Sequence, residues 1–292
     1  MTVELEGCGA IITGASQGFG LAVARAYVAA GANVLLCARD EVALNRARAE
    51  VAAVARAGQV VLAQRADVAD PADVDRLVDR AVGELPGFRI LVNNAGVYGP
   101  LGRIDQVDWR EWEHAIRINL MGSVYPCRAV LPHFVRQRYG KIVQLSGGGA
   151  TNPLPRISAY AASKAAMVRF AETLAEEVRE FGIDVNAIAP GALNTRLLDQ
   201  VLEAGPAAVG QVFYERSLRQ KQEGGAPVGR GADLATFLAS PASDGLSGRL
   251  ISAIWDPWET LVDGRRDEIM GTDVYTLRRI VPADRSLTWG ER

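Results

Sequence analysis

The chain has 292 residues, 49% apolar and 23% charged, with a formal net charge of −2. That composition is ordinary for a soluble globular protein, and a chain of this size buries about 75% of the surface its unfolded form exposes. Basic and acidic residues are interspersed, and no apolar run nears the ~20 residues needed to span a bilayer, so neither a nucleic-acid nor a membrane partner is expected.

Met1-Thr2-Val3-Glu4-Leu5-Glu6 shows no basic leader followed by an apolar stretch and a cleavage site, so a cytoplasmic location is expected. The elements then alternate. Gly9–Thr13 reads as a strand, followed by a glycine-rich turn and a helix over Gly20–Ala30. Asn33–Ala38 is a second strand, Glu41–Ala57 a helix and Val60–Ala66 a third strand. Asp70-Pro71 is a cap and first-turn signal for a helix reaching about Gly83. Ile90–Asn93 is a fourth strand, Trp109–Arg136 one long helix, Lys141–Leu145 a fifth strand and Ser158–Phe181 another long helix. Asp184–Ala189 is a sixth strand, and Arg249–Ile254 a seventh after a helix at Ala232–Ala239.

Short continuous apolar runs are the mark of buried parallel strands. Their alternation with helices, joined by right-handed crossovers, predicts an α/β fold. The expected architecture is a Rossmann-like doubly wound parallel sheet of about seven strands, with helices on both faces. Residues 1–255 read as a single domain. Within it, 193–231 is a long excursion suited to a substrate-covering lid, and 256–292 is a C-terminal extension. Cys8, Cys37 and Cys127 are odd in number and lack metal-ligand spacing, and His114 and His133 lie far apart, so no metal site is expected.

Thr13-Gly14-Ala15-Ser16-Gln17-Gly18-Phe19-Gly20 joins the first strand to the first helix. Its glycines permit a tight turn and close approach to a pyrophosphate, and the helix start presents free N–H groups to an anion. The spacing T-G-x-x-x-G-x-G differs from G-x-G-x-x-G. Further on, Tyr160 and Lys164 are four apart on one helix face. A phenol has a pKa of about 10, and a nearby ammonium favours its ionised form, bringing proton transfer into range.

Asp67-Val68, Asn93-Asn94-Ala95-Gly96, Asn119, Tyr160-x-x-x-Lys164 and Pro190-Gly191 follow the glycine loop in order, at strand ends. With this set the chain resembles the short-chain dehydrogenase/reductase family over about residues 5–254. The resemblance implies an NAD(P)-dependent oxidoreductase that interconverts a ketone and a secondary alcohol, working on a small molecule as a homo-dimer or homo-tetramer. It implies that Gly14, Ser16, Gln17, Gly18, Phe19 and Gly20 cradle the cofactor and that Asp67 and Val68 hold the adenine. Asn93, Ala95 and Gly96 would line the ribose side and brace the sheet, while a purely structural reading, tying adjacent strands together, stays open for Asn93 and Asn94. Pro190, Gly191 and Leu193 would meet the nicotinamide amide, and Thr195 the phosphates. Tyr160 would be the general acid/base, Lys164 would also bond the ribose, and Asn119 would hold a water in the relay.

At the end of the second strand, Ala38 stands where an acid would bind the ribose hydroxyls of NAD, and Arg39 follows it. A guanidinium with no carboxylate in that place favours NADP, with NAD still possible. Arg39 could instead stack on adenine, or be occupied by Asp40. The family's serine falls 13 residues before the tyrosine, where this chain has Gly147. Two readings stay open. Either Ser146 serves as the hydroxyl donor after a one-residue shift, or the role is lost or taken by Thr151, Ser158 or a backbone N–H. A non-catalytic NADP(H) sensor or scaffold and a redox-neutral epimerase are the alternative functions.

Overall fold

The computed structural model describes residues 3–261 and 264–289. Seven short strands pair in parallel: β1 Gly9–Thr13, β2 Asn33–Ala38, β3 Val61–Arg65, β4 Phe88–Asn93, β5 Gly140–Leu145, β6 Ile183–Ala189 and β7 Leu250–Ser252. Their order across the sheet is β3-β2-β1-β4-β5-β6-β7. The order reverses between β1 and β4, and such a switch point opens a crevice at the strands' carboxyl ends.

Helices cover both faces: α1 Gly18–Ala29, α2 Glu41–Ala52, α3 Pro71–Glu84, α4 Trp109–Ile116, α5 Gly122–Gln137, α6 Ser158–Val178, α7 Arg196–Val209, α8 Gln211–Glu223, α9 Val228–Ala239 and α10 Arg266–Met270. Alternate strand residues enter two cores. Ile12, Leu36, Val92 and Val143 pack with Val23, Tyr27 and Phe237 of α1 and α9. Ile11, Leu35, Leu91 and Ile142 pack with Leu77, Phe134 and Leu174 of α3, α5 and α6. The Tyr27 hydroxyl donates to the Ala235 carbonyl at 2.9 Å, tying α1 to α9. Asp40 and Asp70 cap α2 and α3 through the N–H groups of Ala43 and Ala72.

The sheet is the one expected, but the expected elements differ from it in three places. The helix read over Trp109–Arg136 is α4 and α5 separated by a π turn at Arg117–Met121, which adds a residue that side-chain periodicity does not reveal. The 193–231 excursion holds two helices, with α7 kinked at Gly205 ahead of Pro206. β7 is three residues long, because Ser252 turns the chain: its hydroxyl accepts from the N–H groups of Ile254 and Trp255.

The described part of the extension is stitched to the domain. Trp258, Leu261 and Ile269 are buried in the α1/α9 core, and the Leu250 N–H of edge strand β7 donates to the Tyr275 carbonyl at 2.8 Å. Glu172 accepts from the Leu277 N–H at 2.6 Å. At the opposite end of the sheet from the crevice, Lys141 is 1% exposed and its ammonium lies 2.6 Å from Asp184 and 2.7 Å from Asp244. Removing one partner of a buried charge leaves the other uncompensated. Lys141→Met strands the buried Asp184 carboxylate and is therefore expected to lower unfolding free energy by about 3 kcal/mol or more, measured by urea titration; a loss within error would refute that role.

Candidate active site

The glycine loop is built for close approach. Gly14 has φ +62, and a Cβ there would lie 2.8 Å from the Ala95 Cα. A Cβ on Gly20 would lie 2.5 Å from the Gly14 carbonyl oxygen. Both contacts are too short for any other residue, so the loop folds down between the ends of β1 and β4. Ser16 is half-buried, Gln17 and Gly18 are exposed, and Phe19 is buried against Gly231 and Pro190. Gly18 faces Thr195, whose Cγ2 is 3.7 Å from the position a Gly18 Cβ would take. The start of the 193–231 segment therefore stands against the loop, beside the N-terminus of α1.

The seam at the switch point is closed by side chains. The Asn94 amide donates to the carbonyls of Thr13 at 2.8 Å and Gly14 at 3.1 Å. The Thr13 hydroxyl accepts from the N–H groups of Asn94 at 3.0 Å and Ala95 at 3.1 Å. Asn94 is thus a brace. The Asn93 side chain turns into the body, donating to the Ser123 carbonyl at 3.2 Å and toward the Cys127 sulfur. Only the Asn93 main chain is left to face the crevice.

At the adenosine end, Val68 is buried and an Asp67 carboxylate oxygen accepts from the Ala69 N–H at 3.0 Å. Arg39 is exposed, and the Arg65 guanidinium, missed in the sequence, donates to its carbonyl at 3.2 Å. At the other end, Gly191 (φ +95) packs against Ile254 and Ala226, and the Leu193 carbonyl accepts from Gln220 of α8.

Four elements meet beside the crevice. The π turn presents Asn119, whose amide is fully engaged: it accepts from the Val97 N–H and donates to the Val97 carbonyl, both at 2.8 Å, and donates to Ser163 at 2.9 Å. The Ser163 hydroxyl in turn donates to the Tyr160 carbonyl at 2.8 Å. Lys164 is 5% exposed; its ammonium donates to the Leu145 carbonyl and lies 5.7 Å from the Tyr160 ring centre. A Cβ on Gly96 would sit 3.7 Å from that ammonium, so the motif following β4 abuts Lys164. Burial lowers the Lys164 ammonium to about 8. Burial, and then the neighbouring Tyr98, raise the Tyr160 phenol above its ordinary value, so it is protonated at neutral pH. This reverses the expected effect of the ammonium, because desolvation dominates and Lys164 points to a main-chain carbonyl.

Ser146 and Gly147 part company at the end of β5. The Ser146 hydroxyl is buried with no hydrogen-bond partner among the described residues. Gly147 is the residue against the Tyr160 hydroxyl: a Cβ on it would overlap that oxygen and lie 2.9 Å from Cζ. Tyr98, two residues past the Asn-Asn-Ala-Gly motif, packs edge-on to Tyr160 with ring centres 4.9 Å apart. Its place after that motif was the sequence signal available.

A doubly wound sheet with a glycine-lined cradle and a half-buried tyrosine beside a buried lysine at its carboxyl edge defines a nicotinamide-dependent oxidoreductase. The family model for short chain dehydrogenases matches residues 9–205, and the chain belongs to that family: it is an NAD(P)-dependent oxidoreductase acting on CH–OH groups. It is 40% identical to 3beta-hydroxysteroid dehydrogenase 1 of Eggerthella lenta, over 66% of this chain and 73% of that protein. A gluconate 5-dehydrogenase from Burkholderia cenocepacia, solved with NADP and tartrate, is 28% identical with a TM-score of 0.69, covering 85% of this chain and 94% of that one. NAD+-bound xylitol dehydrogenase is 25% identical with a TM-score of 0.75, covering 85% and 97%. Among the described residues no group of His, Cys, Asp and Glu is arranged to hold a metal, and no helix is long and apolar enough to cross a membrane.

The lowered Lys164 value carries a sign. Between about 8 and its ordinary value of 10.5 the unfolded chain binds the proton more readily than the folded one, so this group's contribution to stability rises with pH. Relative to Lys164→Met, the cofactor-free wild type is expected to gain about 2 kcal/mol from pH 7 to about pH 9.5. Urea unfolding at both pH values checks this, and a constant difference would refute it.

Proposed function

We propose that the protein is an NADP(H)-dependent reductase or dehydrogenase interconverting a small ketone and its secondary alcohol, with Tyr160 as general acid/base. The observation that carries this reading is the pairing of half-buried Tyr160 with buried Lys164 on one face of α6, beside the glycine loop that Gly14 and Gly20 let close. The cradle suits a pyrophosphate, since Gly14 and Gly20 let the loop close tightly on the end of β4 and leave the N–H groups at the start of α1 free for an anion. Ser16, Gln17, Gly18, Phe19 and Thr195 would line that part, and Pro190, Gly191 and Leu193 the nicotinamide end. Bound there, the nicotinamide supplies or accepts the hydride.

In reduction the protonated Tyr160 hydroxyl donates its proton to the carbonyl oxygen; in oxidation it takes the proton from the alcohol. Lys164, next to Gly96, would bond the ribose and supply positive charge as the phenolate forms. Asn119 keeps the Val97 segment and Ser163 in place, and so fixes α6 at Tyr160. Ser146 remains the nearest serine in sequence to the expected donor. The preference for NADP rests on Arg39 with Arg65 beside it, while the Asp40 carboxylate is directed to its own helix at the Ala43 N–H, 3.0 Å away. The same reading places the protein in the cytoplasm as a homo-dimer or homo-tetramer; its buried, unpaired cysteines suit a reducing compartment. A second reading, a non-catalytic NADP(H)-binding protein, draws on Gly147 in the serine's place.

The test is turnover of a 3-oxosteroid, a 3-keto acid and a keto sugar acid with NADPH and NADH, followed by nicotinamide absorbance. Tyr160→Phe is expected to lower kcat at least ~100-fold with NADPH affinity retained; full turnover of that variant overturns the acid/base role. NADPH binding with no turnover of any compound supports the second reading. Arg39→Ala is expected to weaken NADPH binding roughly 10- to 100-fold, while leaving NADH binding unchanged. Equal losses for both cofactors would remove Arg39 as the selector.

A further inference from the structure

The glycine at the end of β5 is not required by its backbone. Gly147 has φ −169 and ψ 170, an extended conformation open to any residue. What excludes a side chain is the Tyr160 phenol, whose hydroxyl overlaps the Cβ position and whose Cζ and Cε1 lie 2.9 and 3.2 Å from it. Tyr160 in this position and a serine at 147 are mutually exclusive, so the missing serine and the seat of the tyrosine are one feature.

A second hydroxyl-bearing side chain packs against Tyr160. Tyr98 meets it edge-on, ring centres 4.9 Å apart and planes at 75°. It is held on both sides: Asn119 clamps both main-chain groups of Val97 at 2.8 Å, and Gly99 (φ +73) is wedged where a Cβ would lie 3.4 Å from the Ala159 Cβ. Burial raises the Tyr98 phenol, so it is a neutral donor.

We propose that Tyr98 supplies the second hydroxyl to the substrate oxygen, and that Gly147 is the positioning residue that seats the Tyr160 hydroxyl. This rests on Tyr160 as the proton donor. On reduction, the reduced nicotinamide gives a hydride to the carbonyl carbon and is oxidised. The carbonyl π pair moves to oxygen, which takes the Tyr160 proton as that O–H bond breaks. Tyr98 keeps its proton and donates a hydrogen bond to the oxygen while negative charge builds on it.

Two experiments test the halves separately. The first needs no substrate: melting temperatures of Gly147→Ala, Tyr160→Phe and the double variant. Gly147→Ala is expected to cost several degrees in the wild type and clearly less in the Tyr160→Phe background, where the overlapping oxygen is gone. Equal losses overturn the seating role. The second uses whichever of the three carbonyl probes the wild type reduces. Tyr98→Phe is expected to lower kcat about 100-fold, with NADPH affinity and melting temperature held, and Gly147→Ser to lower kcat rather than raise it. Undiminished kcat in Tyr98→Phe, or a gain in Gly147→Ser, overturns the proposal. Full turnover in Tyr160→Phe is the failure of the acid/base reading itself; intact Tyr98→Phe in an enzyme that Tyr160→Phe inactivates is the failure of this inference alone.

Discussion

Where the strand order reverses, the carbonyls at the end of β1 have left the sheet ladder, and an unpartnered buried polar group costs about 1–3 kcal/mol. The Asn94 amide answers two of them, Thr13 and Gly14, while the Thr13 hydroxyl answers the N–H groups of Asn94 and Ala95. The rest of the crevice follows from that closure. Gly14 and Gly20 must lack side chains because the same amide and Ala95 press against them. With the loop pulled down, the N-terminus of α1 points its free N–H groups into the crevice, and Thr195 is brought opposite Gly18. The shape of the glycine loop is a consequence of satisfying backbone groups at a sheet seam.

The same logic extends from β4 to the catalytic helix. Beyond Gly96 the chain is again without a strand partner, and Asn119 takes both main-chain groups of Val97. Because Asn119 also holds Ser163, and Ser163 holds the Tyr160 carbonyl, the loop after β4 and the helix carrying Tyr160 are set relative to one another through one amide. The π turn makes this possible: the additional residue lets Asn119 point inward at the junction of α4 and α5. Such insertions recur at functional sites, where a side chain must be aimed in a direction regular periodicity does not offer.

Much of this was legible in the amino acids, for identifiable reasons. Strands buried on both faces are written as unbroken apolar runs, so β1 and β2 could be bounded to the residue. The glycine loop and the Tyr–Lys spacing carry local signatures. The π turn has none, since the residues around 117–121 keep a helical character throughout. α7 and α8 are interrupted by Gly205 and Pro206 at a kink and by Gly210 between the helices, which breaks the apolar periodicity along the segment. The direction of a side chain at a strand end was the hardest matter. Asn93, named for the ribose side, turns inward to Ser123 and Cys127, and Ser146 is buried while Gly147 meets the phenol. Spacing places a residue along the chain, but which face it takes after the last ladder bond depends on contacts from elsewhere in the fold.

The division between what is shared and what is particular follows from rigidity. The glycine loop, Tyr160 and Lys164 sit on strand ends and the first turns of α1 and α6, which two cores hold from both faces. Geometry there is set by packing that a substrate does not alter. The structures and relatives that share this frame carry names of a steroid, a sugar acid and a polyol dehydrogenase, so the frame cannot be what selects among them. Selection has to come from chain that the frame leaves free: α7 and α8, joined at Gly210 with few main-chain ties to the body, and the segment following β7. Arg156 donates to the Ala207 and Ala208 carbonyls at 2.9 and 3.2 Å, and Gln220 reaches back to Leu193, so the helical pair is fastened at its far turn and at its root. Trp255, at the carboxyl end of β7, is 84% exposed, and its neighbour Ile254 packs on Gly191. Apolar side chains exposed singly are ordinary on a protein surface, and both the α7–α8 pair and the turn at Trp255 lie outside the part that the sequence motifs encode.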